Sequence, residues 1–158
     1  MTASMQMEPV IRRARREDAV AISQVIVTAV RESNGQDYPT SVIESVVAHF
    51  TPECVAELLE KRLVFVALLN AEIIGTAALD GNVVRSLYIA PQQQHKGVGQ
   101  MLMARIEETA LEHNLDALLV PSSLTAEAFY IRLGYRVVRE QFHGEERTLI
   151  MTKPLSSL

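Results

Sequence analysis

Cysteine is almost missing from this chain: Cys54 stands alone among 158 residues. One thiol cannot close an internal disulfide, so nothing ties the chain to an oxidising compartment, and a cysteine-built metal site is excluded. The four histidines, His49, His95, His113 and His143, show neither HxH nor HxxxH spacing, so no metal is expected. There is no basic surplus either. Fifteen Lys and Arg stand against nineteen Asp and Glu, for a formal net charge of −4. Phosphate backbones select a basic surface, so no nucleic-acid partner is expected. The cluster Arg12, Arg13, Arg15 and Arg16 reads as an exposed strand edge and helix entry. The longest strongly apolar run, Leu63–Leu69, is too short to cross a bilayer, so no membrane partner is expected. Residues 1–9 lack a basic stretch followed by an apolar one, so no secretory leader is expected and the cytoplasm is the expected location.

What is present is a globular composition. With 48% hydrophobic and 22% charged residues, the chain can bury one core unaided, and residues 1–158 read as a single domain without repeats or linkers. Residues 10–15 read as a first strand. Ile22, Val25, Ile26, Ala29 and Val30 follow at helical spacing up to Asn34-Gly35. Pro39-Thr40 opens a second helix with Ile43, Val46, Val47 and Phe50 on its apolar face; Thr51-Pro52 breaks it, and residues 53–61 form a third. Leu63–Leu69 suits a strand buried on both faces. Short turns at 70–72 and 80–82 join it to strands 73–79 and 83–89, which makes an antiparallel meander. A helix from 98 to 113, a strand at 117–120, a helix at 125–133 and strands at 135–141 and 148–151 complete a mixed α/β pattern with one main sheet.

The chemistry concentrates between Leu87 and Gly99. A strand ends at Pro91, a polar loop follows, and Gly97 and Gly99 open an amphipathic helix. Helix N-termini carry unpaired N–H groups and partial positive charge, and glycine lets a ligand approach the backbone, so the segment suits a phosphate or pyrophosphate. A Walker loop needs Lys and Ser/Thr after its glycine, and Val98 stands there; a dinucleotide fingerprint needs a small residue at Leu102. A loop of another type for ATP or NAD remains the rival on spacing alone.

The segment Gln94-His95-Lys96-Gly97-Val98-Gly99 resembles the Gln/Arg-x-x-Gly-x-Gly/Ala pyrophosphate loop of the GNAT acetyltransferases. Ala126-Glu127-Ala128-Phe129-Tyr130-Ile131-Arg132-Leu133-Gly134-Tyr135 is similar to that family's second signature, and the opening at Ile11–Ala14 and the ending at Met151–Leu155 resemble common GNAT termini. The resemblance implies a mostly antiparallel central sheet flanked by helices, with strand 83–89 splayed from strand 117–120 to hold acetyl-CoA. It implies pantetheine contacts at Leu87, Tyr88 and Ile89, with Phe129 beside them. Pyrophosphate contacts fall on Gln94, His95, Lys96, Gly97, Val98 and Gly99. Ser123 stands in place of a family asparagine, Ile89 N–H faces the developing oxyanion, and Tyr130 is the general acid.

The acceptor implied is a small-molecule amine or a peptide or protein amine. The strand Val83–Ile89 holds no carboxylate to serve as base; Glu32, Asp37 and His143 are substitutes by type only. That gap keeps a second reading open, a non-catalytic acyl-CoA sensor of the same fold. Pairing of strands 135–151 between two copies would give a homodimer.

Overall fold

The computed structural model describes residues 8–156; residues 1–7, on which the expectation about a secretory leader mostly rests, fall outside the described residues. Seven strands form one sheet in the order β1-β2-β3-β4-β5-β7-β6. Strand β1 is Val10–Arg13, β2 Leu63–Leu69, β3 Glu72–Asp80 and β4 Val83–Ile89. The last three are β5 (Ala117–Ser122), β6 (Arg136–His143) and β7 (Glu146–Pro154). The meander β2-β3-β4 is antiparallel as the turns imply. Among the described residues, only β4 and β5 run parallel. The closing strands are longer than their apolar cores suggest. Gly144 takes a positive φ of 61° in a tight turn, and the ladder from Arg136↔Thr152 to His143↔Glu146 carries polar residues out of the sheet's edge.

Helices cover both faces. Helices α1 (Ala19–Glu32), α2 (Thr40–Val47) and α3 (Pro52–Lys61) pack on one side. Their core joins Ile22, Ile26, Val30, Ile43 and Val55 to Val64, Val66 and Ala78 of the sheet. Helix α4 (Val98–Glu112) covers the other side, and the short helix α5 (Glu127–Arg132) flanks its start. There Leu102, Met103, Ile106 and Ala110 meet Phe65, Ala67, Leu118 and Met151. Residues three and four apart share one face of a helix, so these apolar stripes dictate which face turns inward. Each such Val, Leu, Ile, Phe or Met side chain, fully buried, contributes about 1.5–3 kcal/mol. Strand β2 is buried on both faces over Val64–Ala67, so both cores share it.

The break at Thr51-Pro52 is a helix start. Thr51 Oγ1 accepts from Cys54 N–H at 3.2 Å, and Pro52 occupies the first turn, where no N–H is needed. Of the arginine cluster near the N-terminus, Arg13, Arg15 and Arg16 are exposed, as expected of a strand edge and helix entry, and Arg12 is turned to an internal partner. Arg12 grips buried Asp18 through two bonds of 2.8 and 3.2 Å, and Arg13 lies over the Phe65 ring. Among the described residues, no helix is long and apolar enough to cross a membrane, and no group of three or more His, Cys, Asp or Glu is placed to hold a metal.

Candidate active site

The sheet opens in its middle. Strands β4 and β5 share a single register pair, Val83↔Leu119, anchored by Leu119 N–H to Asn82 O at 3.0 Å. Beyond it the strands part, and their facing backbone edges have no ladder partner among the described residues. Ala90 N–H donates to Ile74 O of β3 at 2.8 Å. Successive residues of a strand alternate the edge to which their N–H points, so Ile89 N–H faces the opposite way, into the gap. A bulge precedes it. The β3–β4 register shifts between Thr76 and Ala78, and Ser86 holds a φ of 55°, costly for a residue with a Cβ.

The polar loop follows directly. His95 and Lys96 are exposed at its tip, and His95 has a φ of 64°. Gly97 caps α4 with φ 88° and ψ 0°, a conformation that glycine adopts freely. A Cβ placed on Gly97 would meet nothing nearer than Gln100 Oε1 at 4.0 Å, so the space before it is open. The first helical bond at this end is Met101 N–H to Gly97 O, at 3.1 Å. The N–H groups of Val98, Gly99 and Gln100 therefore belong to the unpaired first turn and point out of the helix end.

The loop residues divide their work. Gln94 turns its amide inward, donating to Ser33 Oγ at 2.9 Å and Ile89 O at 3.1 Å. Its side chain thus ties the loop to α1 and β4, and its N–H is turned to Pro91 O. Val98 is buried in the α4-side core, which leaves only its N–H for a ligand. Gly99 makes room for a neighbour: a Cβ there would sit 3.0 Å from the Phe129 ring. Phe129 in turn stacks edge-on against Tyr130, with ring centroids 5.2 Å apart.

The side chains of β4 alternate across the gap. Leu87 and Ile89 pack on the α4 side, whereas Tyr88 packs on the α1–α3 side, edge-on to Phe50. Burial pushes the Tyr88 phenol up to about 12, with the charge of Glu146 acting in the same direction. Tyr130 is buried, and burial raises its phenol well above the usual tyrosine range, so it is a protonated donor at neutral pH; the Tyr88 charge adds to the effect.

Ser123 does not reach across alone. Its Oγ accepts from Ala126 N–H at 3.2 Å and shapes the turn into α5. Tyr38 closes that side, donating to Arg147 O at 2.7 Å and accepting from Leu124 N–H at 2.9 Å. A small cavity of about 90 Å³ lies between Tyr38, Tyr88, Ser123 and Glu146. It adjoins a cleft of about 600 Å³ that also contains Tyr88 and Glu146 in its wall. Of the substitutes suggested by type, Asp37 is engaged with Thr125, and His143 lines the larger cleft. Glu146, missed in the sequence, is the carboxylate at the junction.

An acetyltransferase (GNAT) domain family model matches residues 23–152. The chain belongs to the GNAT acetyltransferase family. It is therefore an acyltransferase. It is 27% identical over 131 residues to the uncharacterized N-acetyltransferase YafP of Escherichia coli K12, covering 83% of each chain. A GCN5-related N-acetyltransferase structure from Rhodopseudomonas palustris superposes with a TM-score of 0.89 at 24% identity, over 97% of this chain and 99% of that one. PaiA N-acetyltransferase of Thermoplasma acidophilum, solved in complex with coenzyme A, gives a TM-score of 0.81 at 20% identity, over 94% and 99%. The splayed sheet of this acetyltransferase and its α4 loop stand within that shared fold.

Proposed function

We propose that the protein is an N-acetyltransferase that moves the acetyl group of acetyl-CoA to a primary amine by direct attack in a ternary complex. The observation that carries this reading is the gap between β4 and β5, closed at one end by Val83↔Leu119 and open at the other onto the α4 N-terminus. Open strand edges need hydrogen-bond partners. An arm with two amides, ending in phosphates, supplies them along the gap and reaches the unpaired N–H groups beside Gly97. Coenzyme A in the related Thermoplasma structure supports the same choice.

When bound, acetyl-CoA supplies a thioester carbonyl open to attack by an amine. The chain's own residues do the rest. Ile89 N–H, aimed into the gap, holds the negative charge that develops on the carbonyl oxygen. Glu146 takes the proton of the incoming ammonium, directly or through a water, because an alkylammonium with a pKa of about 10.4 is not a nucleophile at neutral pH. Tyr130, held protonated by burial, gives a proton to the departing thiolate. The carboxylate absent from β4 thus comes from the start of β7. The same proposal includes a homodimer through β6, an edge strand exposing Val137, Val138 and Phe142.

The test is release of free thiol from acetyl-CoA with a panel of amines, comparing the wild type with Glu146→Gln and Tyr130→Phe. Glu146→Gln lowers kcat by about 10²- to 10⁴-fold at pH 7, and raising the pH towards the amine's own pKa recovers much of it. Tyr130→Phe lowers kcat more than it raises KM. A wild-type protein that binds acetyl-CoA but turns over no amine is instead an acyl-CoA sensor.

A further inference from the structure

The larger cleft is strongly one-sided in charge. Its walls come from α2, α3, β4, β5, β6 and β7, and they carry Arg62, Arg85 and Arg139, with His49 and His143 beside them, against one carboxylate, Glu146. Asp80 is the sole ion-pair partner of these three arginines among the described residues, 3.6 Å from Arg62 and itself half-exposed. Arg85 and Arg139 make no ion pair among the described residues. The Arg62 side chain is only 19% exposed. Burial holds its guanidinium below the usual arginine range, and the neighbouring Arg85 charge acts in the same direction.

The sheet registers order these charges along the cleft. Val83 pairs with Leu119, and past that pair, across the opening gap, Arg85 lies two residues on along β4 as Pro121 does along β5. Pro121 pairs with Ile150, and Ile150 pairs with Arg139. Arg85 and Arg139 therefore lie at about one level on opposite sides of the cleft, with β5 and β7 between them, and Arg62 lies towards the closed end, beside Asp80. Glu146 is four residues from Ile150 along β7, and Tyr88 three from Arg85 along β4. At about 3.3 Å per residue, the reacting end and the arginine level are roughly 10–13 Å apart.

We propose that the acceptor is an amine bearing an anionic group, a carboxylate or a phosphate, at its far end, with the anion held by Arg62, Arg85 and Arg139 while the amine sits at Glu146 and Tyr88. This rests on the transferase reading of the same site. Guanidinium groups bind both anions through paired N–H donors, and they repel a second ammonium. Cationic acceptors such as polyamines are thereby disfavoured.

Four six-carbon probes test it: 6-aminohexanoate, 6-aminohexyl phosphate, hexylamine and 1,6-diaminohexane share one reacting end and differ at the other. Binding is measured by calorimetry, with and without coenzyme A, and turnover by thiol release. At least one anionic probe binds about 10- to 100-fold more tightly than hexylamine, as loss of a charge-assisted contact implies, and the diamine binds worst. Arg85→Gln and Arg139→Gln each reduce that advantage, and the better of the two anions identifies the group. Equal or tighter binding of hexylamine or the diamine overturns the proposal, even if both are acetylated. Tight binding of the anionic probes without turnover of any amine upholds the anion site and overturns the transferase reading instead.

Discussion

Gly97 and Gly99 look alike in the sequence, and the structure assigns them opposite tasks that alanine substitution separates. At Gly97 the φ of 88° is the difficulty, since an alanine there must adopt a left-handed conformation costing about 1–2 kcal/mol. No protein atom opposes its Cβ nearer than Gln100 Oε1 at 4.0 Å. Gly97→Ala therefore lowers Tm by roughly 2–4 °C per kcal/mol. Its methyl group also enters the space proposed for the pyrophosphate, so acetyl-CoA affinity falls at least about tenfold, or ~1.4 kcal/mol. At Gly99 the backbone is helical and alanine gains up to about 1 kcal/mol in propensity. The opposing effect is the Phe129 ring, 3.0–3.1 Å from the new Cβ, an overpacking worth about 1–3 kcal/mol. Phe129→Leu relieves that contact and not the strain at Gly97. Denaturant unfolding of both double-mutant cycles checks this. The Gly99–Phe129 pair couples by about 1 kcal/mol or more, whereas Gly97 and Phe129 are additive within about 0.5 kcal/mol. Additivity in both cycles, or coupling at Gly97, refutes the division of labour.

Two further outcomes concern the frame around the site. Asp18 accepts from Arg12 and from Arg15 N–H, and the Arg12 hydrogen bond, above all, holds its carboxyl below the usual range. A lowered pKa gives stability that is present above the unfolded value of about 3.9 and lost as pH falls below it. Asp18→Asn thus costs about 1.5–3 kcal/mol at pH 7 by urea unfolding, and its deficit against wild type shrinks below about pH 4. Tyr38→Phe strips partners from Leu124 N–H and Arg147 O. It costs about 1–3 kcal/mol and raises KM for the acceptor more than for acetyl-CoA, read from initial rates against each substrate.

Much of the fold was legible because its signals are local. The apolar stripe of α1, the run Leu63–Leu69 and the turn at 80–82 each name their element within a few residues. The loop at 94–99 was legible for the same reason, being contiguous. The roles within it were less so. That Gln94 turns inward to Ser33 depends on a residue just past the end of α1, sixty-one positions earlier in sequence and beside it in space. Glu146 and the three cleft arginines carried no signal at all. Arg139 and Glu146 belong to the β6–β7 hairpin and reach a cleft shared with Arg62 and Arg85 because that hairpin joins the sheet beyond β5, far from them in sequence. Ser86 is hidden too, since a bulge at a residue with a Cβ leaves no glycine to mark it.

The most direct measurement of the central claim is calorimetric titration of the wild-type protein with acetyl-CoA, coenzyme A, ATP and NAD under one condition. Acetyl-CoA and coenzyme A are expected to bind one to one. At 100 times the dissociation constant each stabilises the fold by about 2.7 kcal/mol, with ATP and NAD far weaker. ATP or NAD binding as tightly as acetyl-CoA, or no binding of acetyl-CoA at all, contradicts the assignment of the β4–β5 gap and the α4 N-terminus to that ligand.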